Sequence, residues 1–255
     1  MPKIDVLMEG YGLGTDQGII GFCAVVLIEG EKRVLFDSAH VGRRSLLLAR
    51  LRERGLTPRD IDAQVLSHSH WDHVQNVDLF DHAALLLHPN ERRYASRPHE
   101  NDWATPKWTG AVIESLPLVE VGEGYEVMPG CRVVELIGHS AGSIGLEVET
   151  DDGKCLVVGD ALPNARAALT GNISFIFWNE AQAIASAKRI SASGAAIYPG
   201  HDRPFRLKDG EVQYLTEYRL QVNGVGPETP GATFVAVPPP APSWVMPGIE
   251  TQRLD

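Results

Sequence analysis

The sequence has no apolar run approaching the roughly 20 residues that a membrane-spanning helix needs, so no membrane association is expected. Cysteine is scarce. Cys23, Cys131 and Cys155 are odd in number and irregularly spaced, which excludes a disulfide framework and a Cys-x-x-Cys zinc site. They read as small buried hydrophobes in a reducing compartment. Positive charge is also short: 23 Lys and Arg stand against 33 Asp and Glu, for a net charge of −10. That balance weighs against a nucleic-acid partner, because phosphate binding needs a basic surface. Met1-Pro2-Lys3-Ile4-Asp5-Val6 enters a strand pattern at once, with no signal-peptide pattern, so a cytoplasmic protein is expected. What is present is ordinary for a soluble enzyme: 255 residues, 44% hydrophobic and 22% charged.

One stretch is not ordinary. Ser67-His68-Ser69-His70-Trp71-Asp72-His73 packs three imidazoles and a carboxylate into six positions, 68 to 73. His68 and His70 lie two apart, on the same side of an extended backbone. Asp72 and His73 fall where the chain should turn into a helix, so they project elsewhere. Imidazole nitrogen and carboxylate oxygen are good zinc donors, and two directions of projection suggest two metals. Further donors follow apolar, strand-like runs: His139 after Val133–Ile137, Asp160 after Leu156–Val158, and His201 after Ala195–Tyr198. Donors at the ends of adjacent strands converge even when far apart in sequence.

The ordered set His68-x-His70-x-Asp72-His73, His139, Asp160 and His201 resembles the two-metal pattern of the metallo-β-lactamase superfamily, over roughly residues 3 to 207. The resemblance implies an α/β fold, the αββα sandwich of two mixed β-sheets flanked by helices. It implies that His68, His70 and His139 bind one metal, that Asp72, His73 and His201 bind a second, and that Asp160 bridges the two. Asp72 and Asp160 are then the candidate catalytic carboxylates. Asp37 stands where the family carries an Asp near the metal motif, and is expected to hold the ligand loop by hydrogen bonds. Two Zn are expected, with Fe or Mn also suited to such donors.

The rest of the chain divides into a catalytic domain over 1–222 and a proline-rich C-terminal arm over 223–255. Residues 9–18 are glycine-rich, but no helix pattern follows as a nucleotide-phosphate loop would require. In the family such a loop covers the active site, which makes Tyr11 and Leu13 substrate-contact candidates. Ile19–Ile28 reads as one strand, Gly42–Arg54 as an amphipathic helix and His73–Leu79 as the helix after the motif. Residues 94–112 are irregular and aromatic, a candidate pocket wall. Candidate apolar substrate contacts are Trp71, Trp103, Trp108, Phe175 and Trp178, and candidate polar ones Asn164 and Arg166. Asn179 or Glu180 caps a helix running to Ser193, with Ala181, Ile184, Ala185 and Ile190 as its buried face. Glu211–Val222 is amphipathic. Residues 227–247 hold seven prolines, including Pro238-Pro239-Pro240, which exclude a regular helix or central strand. That segment reads either as an extended arm on this subunit or on a neighbour, in the second case a homodimer contact, or as a disordered tail. Phe234, Trp244 and Val245 are its candidate buried residues.

Two divalent ions roughly 3.5–4 Å apart lower the pKa of water toward about 7, so the expected activity is hydrolysis of a small ester, lactone or thioester. Position 70 is His, where similar flavodiiron oxidoreductases carry Glu. Asp160 stands where many β-lactamases of the superfamily carry Cys or Ser. Ala161-Leu162-Pro163 replaces the Tyr that quorum-quenching lactonases often place after the bridging Asp. The rival readings are a phosphodiesterase or nuclease on the same dinuclear site, and a mononuclear iron sulfur dioxygenase using the first metal position alone.

Overall fold

The computed structural model describes residues 1–217, 219–233 and 242–254. Two mixed sheets lie face to face. The first has six strands in the order Lys3–Met8, Val25–Glu29, Arg33–Phe36, Ala63–Val65, Ala84–Leu87 and Leu118–Glu120. Its first three strands pair antiparallel and its last three continue in parallel. The second has seven: Glu211–Tyr214, Phe205–Lys208, Ala196–Pro199, Gly153–Gly159, Ile144–Thr150, Cys131–Glu135 and Glu126–Met128. There only Gly153–Gly159 and Ala196–Pro199 run parallel, across the crossover helix Glu180–Ser191.

Period-two alternation decides what each face buries. Val26, Ile28, Val34, Phe36 and Val65 of the first sheet meet Val133, Leu146, Val148 and Val157 of the second in one apolar layer. The alternate positions face outward. Leu27 and Leu35 pack under Leu47 and Leu51 of the helix Arg44–Glu53. Val134, Leu156 and Val158 pack under Ala183, Ala187 and Ile190 of Glu180–Ser191. The layers therefore run helix, sheet, sheet, helix, which is the αββα sandwich.

Several local expectations are corrected. The crossover helix is capped by Asn179, whose side chain accepts from Gln182 N at 3.0 Å. It buries Ala183, Ser186, Ala187 and Ile190, whereas Ala181 and Ala185 are exposed. The cause is a close approach: a Cβ on Gly138 would lie 2.0 Å from Ala183 N, so small residues must face the sheet there. Ile19–Ile28 is two strands, Gly18–Phe22 and Val25–Glu29. The first pairs with Tyr11–Thr15 in a separate hairpin, so the glycine-rich loop is a β-ribbon. The helix after the motif is a single turn, Trp71–Val74, followed by a 3-10 turn at Val77–Phe80. Residues 211–222 begin as an edge strand, because Asp209 and Gly210, both at positive φ, turn the chain straight back along Phe205–Lys208.

Trp244–Val245 pairs in parallel with Phe175–Ile176, so this part of the proline-rich segment lies on its own subunit. Trp244 and Val245 are half-buried. Phe234 and Pro238–Pro240 lie outside the described residues. Among the described residues no helix is long and apolar enough to cross a membrane.

Candidate metal centre and cavity

Four loops leave strand ends at one edge of the sandwich, and each delivers predicted donors. Ser67–His70 follows Ala63–Val65, His139 follows Cys131–Glu135, Asp160 follows Gly153–Gly159, and His201 follows Ala196–Pro199. The loops are bonded to one another: Ile144 N donates to Ser67 O at 3.0 Å, and Gly200 N to Gly159 O at 2.9 Å. Gly200 has to be glycine for a packing reason, since a Cβ there would lie 2.0 Å from Asp160 Oδ1.

All seven predicted donors meet. His68, His70 and His139 form one group, and Asp72, His73 and His201 another. Asp160 stands between them, with Oδ2 3.1 Å from His201 Nε2 and 3.6 Å from His139 Nε2. In the first group His139 Nε2 lies 3.3 Å from His68 Nε2 and 3.1 Å from His70 Nδ1. Zinc–nitrogen bonds of about 2.0–2.1 Å, spread at a tetrahedral angle, put neighbouring nitrogens about 3.3 Å apart. In the second group His201 Nε2 is 3.4 Å and His73 Nε2 3.8 Å from Asp72 Oδ2. His73 Nε2 and Asp160 Oδ1 are buried without a hydrogen-bond partner, although buried polar atoms are ordinarily bonded. Converging lone pairs and orphaned inward atoms fit a pair of cations.

Outer hydrogen bonds fix which ring nitrogen faces inward. His73 Nδ1 donates to Asp37 Oδ2 at 2.7 Å, and His139 Nδ1 to the Phe175 carbonyl at 2.8 Å. His68 Nδ1 meets Ser67 Oγ at 2.8 Å, and that hydroxyl donates to Asp37 Oδ2 at 2.9 Å. Asp37 Oδ1 accepts from Ser67 N at 2.8 Å. Asp37 thus holds the motif loop as expected, from a backbone at φ 59°.

A second carboxylate does similar service and was not foreseen. Glu91, 0% exposed, accepts from Ser69 N and Oγ through Oε1 at 2.8 and 2.5 Å. Its Oε2 accepts from Ser140 Oγ and Gly142 N, each at 2.8 Å. It ties the loop of His68 and His70 to the loop of His139. In the sequence Glu91 is marked only as part of a helix start, because its partners are remote and leave no local pattern.

Electrostatics divide the two groups. Burial, reinforced by neighbouring imidazoles, holds His68 and His70 well below the usual histidine pKa, and burial lowers His139 too. Burial opposes charge on His201 as well, but Asp160 beside it raises its pKa to about 9. Burial opposes charge on His73 too, but the carboxylates of Asp72, Asp37 and Asp160 around it raise its pKa well above its ordinary value. Burial likewise opposes charge on Asp160, but His201 and His73 hold its carboxyl well below its ordinary value. Protons thus occupy the second group when no cation does. Cation binding must expel them, so affinity should rise with pH up to about 9 for His201 and weaken about tenfold per unit below that for each proton displaced. Competition against a chelator from pH 6 to 9 measures this; a flat profile would refute it. The sign for metal-free stability is opposite. The His201 contribution is fully present below 6.5 and lost as pH rises through about 9.

Five of the seven donors, His70, Asp72, His139, Asp160 and His201, line a cavity of about 340 Å³. Of the candidate substrate contacts, Trp71, Trp103, Phe175 and Asn164 line it. Trp108, Arg166 and Trp178 do not. Trp108 is 49% exposed at the start of the helix Thr109–Glu114. Arg166 is exposed in the first turn of Ala165–Thr170, whose N-cap Asn164 takes the inward position. Trp178 packs on Tyr94, ring centres 6.0 Å apart. Tyr11 stacks on Phe22 at 4.3 Å, and the hairpin lines the cavity through Gly12, Ile19 and Gly21 instead of Tyr11 and Leu13. A Cβ on Gly21 would lie 2.2 Å from Asp72 Oδ2, so the hairpin packs directly on the second group. Phe177 was missed. Its ring stands edge-on to His70 at 4.5 Å, and it shares an extended side with Phe175, a parity signal available in the sequence. His82, His88 and His99 bond elsewhere, to Ile61 O, Glu135 and Thr251, and His40 accepts from Gly42 N.

Residues 18–201 match the model of the metallo-beta-lactamase superfamily. The chain belongs to that superfamily. Metallo-beta-lactamase domain-containing protein 1 of Xenopus laevis is 31% identical over 215 residues, covering 82% of this chain and 84% of the relative. A solved N-acyl homoserine lactone hydrolase, with N-hexanoyl-L-homoserine at its catalytic metal centre, superposes with a TM-score of 0.63 at 20% identity. The match covers 79% of this chain and 92% of that one. AidC, a dizinc quorum-quenching lactonase, superposes at 0.62 with 17% identity, over 80% and 82% of the two chains. At these identities the two structures establish the superfamily fold. The superfamily places this chain among metallo-hydrolases.

Proposed function

We propose that this protein is a dinuclear zinc hydrolase of small, uncharged carboxylic esters, with lactones foremost and thioesters as close analogues. One observation carries the reading. The donor cluster floors a cavity whose walls are Ile19, Trp71, Trp103, Phe175 and Phe177, and no Lys or Arg stands among its described lining residues. A phosphodiester carries a fixed negative charge and is ordinarily met by cationic or multiple N–H donors; an ester or lactone needs neither. The complete second group, Asp72, His73 and His201, supports two ions over the single iron of a dioxygenase. Similarity to a dizinc lactonase supports both choices.

His68, His70 and His139 would hold one cation, Asp72, His73 and His201 the other, and Asp160 would touch both. When bound, the pair supplies a hydroxide at neutral pH and positive charge for the oxyanion that develops on the carbonyl. The aromatic walls exclude water and hold the acyl chain. With Oδ2 turned to His73 and His201 as a donor, Asp72, on the cavity surface beside the hairpin, would take the proton given up by the attacking water on its other carboxylate oxygen and return it to the leaving alkoxide. The ester C–O bond breaks, a C–O bond to the water oxygen forms, and a lactone leaves as its hydroxy acid.

The zinc-loaded protein should be tested on alkyl-substituted γ- and δ-lactones, p-nitrophenyl acetate, a thioester and bis(p-nitrophenyl) phosphate. The best carboxylic substrate is expected to exceed the phosphodiester in kcat/KM by about 100-fold or more. The reverse preference would favour the phosphodiesterase reading and sink this one.

A further inference from the structure

The walls of the cavity are not self-supporting. Phe175 opens the two-residue strand Phe175–Ile176 and Phe177 follows it, and so short a pairing is marginal without packing behind it. The packing comes from residues 244–252. Trp244 N donates to Ser174 O at 3.2 Å and Met246 N to Ile176 O at 2.9 Å. The Trp244 ring lies 5.2 Å from Phe177 and 6.0 Å from both Phe175 and Trp103. Met246 is buried against Phe177 and Ala104. Farther along, the Gln252 side-chain amide donates to Phe177 O. The same segment grips the neighbouring loop: Asn101 Nδ2 donates to Pro247 O at 2.8 Å, and His99 meets Thr251 Oγ1 at 3.1 Å.

These contacts stand one layer behind the donor cluster. Phe177 N donates to His139 O at 2.9 Å, and the Phe175 carbonyl accepts from His139 Nδ1. Trp103 and Phe177, 5.2 Å apart, belong to separate loops, and segment 244–252 touches both.

We propose that residues 244–252 are a specificity-determining clasp: by holding the 99–104 and 174–177 loops together they fix the position of the aromatic side of the acyl cavity, and so select the length of the substrate's acyl or alkyl chain. The inference rests on the hydrolase reading for its substrate, but the clasp itself has a readout of its own. Trp244 and Gln252 act through the wall and not on the reacting atoms, so their loss should alter selectivity while sparing chemistry on a substrate too small to reach the wall.

The test compares the full chain with Trp244→Ala on γ-lactones bearing no substituent, a butyl or a decyl chain, alongside metal content and amide hydrogen exchange. The ratio of kcat/KM between the butyl and decyl compounds should change about tenfold, in the range one misfitted pocket wall produces. Unsubstituted γ-butyrolactone should stay within about threefold of the wild-type rate. Exchange should quicken at residues 99–104 and 174–178 and nowhere else in the sandwich. An unchanged length profile, or a uniform loss across the series with reduced metal content, would overturn the proposal. If Trp244→Ala does not fold, Gln252→Ala removes only the bond to Phe177 O and is judged by the same readouts. If the wild-type protein turns over no ester or lactone, the hydrolase reading fails, and exchange alone decides the clasp: acceleration confined to 242–254 refutes it.

Discussion

Replacing His70 with alanine is expected to abolish turnover while leaving the fold standing. The first group offers three inward nitrogens, and His70 Nδ1, 3.1 Å from His139 Nε2, is one of them. With two left, the first cation loses a ligand it cannot replace from the wall, because Phe177 and Trp71 flank that side. The rate should fall on the order of 10⁴-fold or more, since ionising water near neutral pH is the contribution lost. Zinc per chain should fall with it. The fold should survive because without metal the site opposes itself: three imidazole lone pairs converge, and burial holds His68, His70 and His139 at lowered pKa values. Removing one ring relieves that crowding and offsets part of the roughly 1–3 kcal/mol that a buried truncation costs. Steady-state kinetics on the best substrate, elemental analysis and circular dichroism check the three parts. An unaffected rate would reject the metal mechanism outright.

The donors were legible in the sequence because their chemistry is rare and their context simple. An imidazole or carboxylate directly after a short apolar strand has few bland explanations, and seven such residues in order have fewer. The sandwich was implied by the resemblance, and the strand-like runs located strands within it. What stayed hidden depended on contacts between distant segments. The hairpin at 11–22 is rich in glycine, so it shows no alternation of apolar and polar side chains, and its place is set by Gly21 approaching Asp72. The buried face of Glu180–Ser191 depends on the close approach of Gly138 to Ala183, which the helix's own sequence does not mark. Trp108 and Trp178 looked like walls because large aromatics draw the eye, but Trp178 is one residue out of step with Phe175 and Phe177. In an extended segment one step reverses the side. The clasp at 244–252 lay behind prolines that excluded regular structure yet said nothing about where the segment docks.

Glu91 is the residue whose loss should cost the most stability. Its two oxygens accept four hydrogen bonds, from Ser69 N, Ser69 Oγ, Ser140 Oγ and Gly142 N, with no exposure to solvent. Glu91→Ala strands Ser69 N, Ser69 Oγ and Gly142 N, while Ser140 Oγ keeps Ser143 Oγ at 2.7 Å. The stranded donors lie in a space that cannot rehydrate freely, because Gly142 abuts Glu91 so closely that a Cβ there would lie 2.5 Å from Glu91 N. Unsatisfied buried donors cost about 1–3 kcal/mol each before relaxation, so a net loss of about 4 kcal/mol is expected after partial rearrangement. For a domain of this size that lowers the melting temperature by about 10 °C. Metal affinity should fall as well, by about 10–100-fold, because Ser69 lies between His68 and His70 and Ser140 follows His139. Glu91→Gln keeps the shape but turns an amide N–H₂ toward one pair of donors, so it should fall between the two. Calorimetry of the metal-free forms separates the stability effect from metal loss, and chelator competition measures the affinity. A melting shift under about 2 °C for Glu91→Ala, with affinity unchanged, would show that the two ligand loops hold their register without this carboxylate.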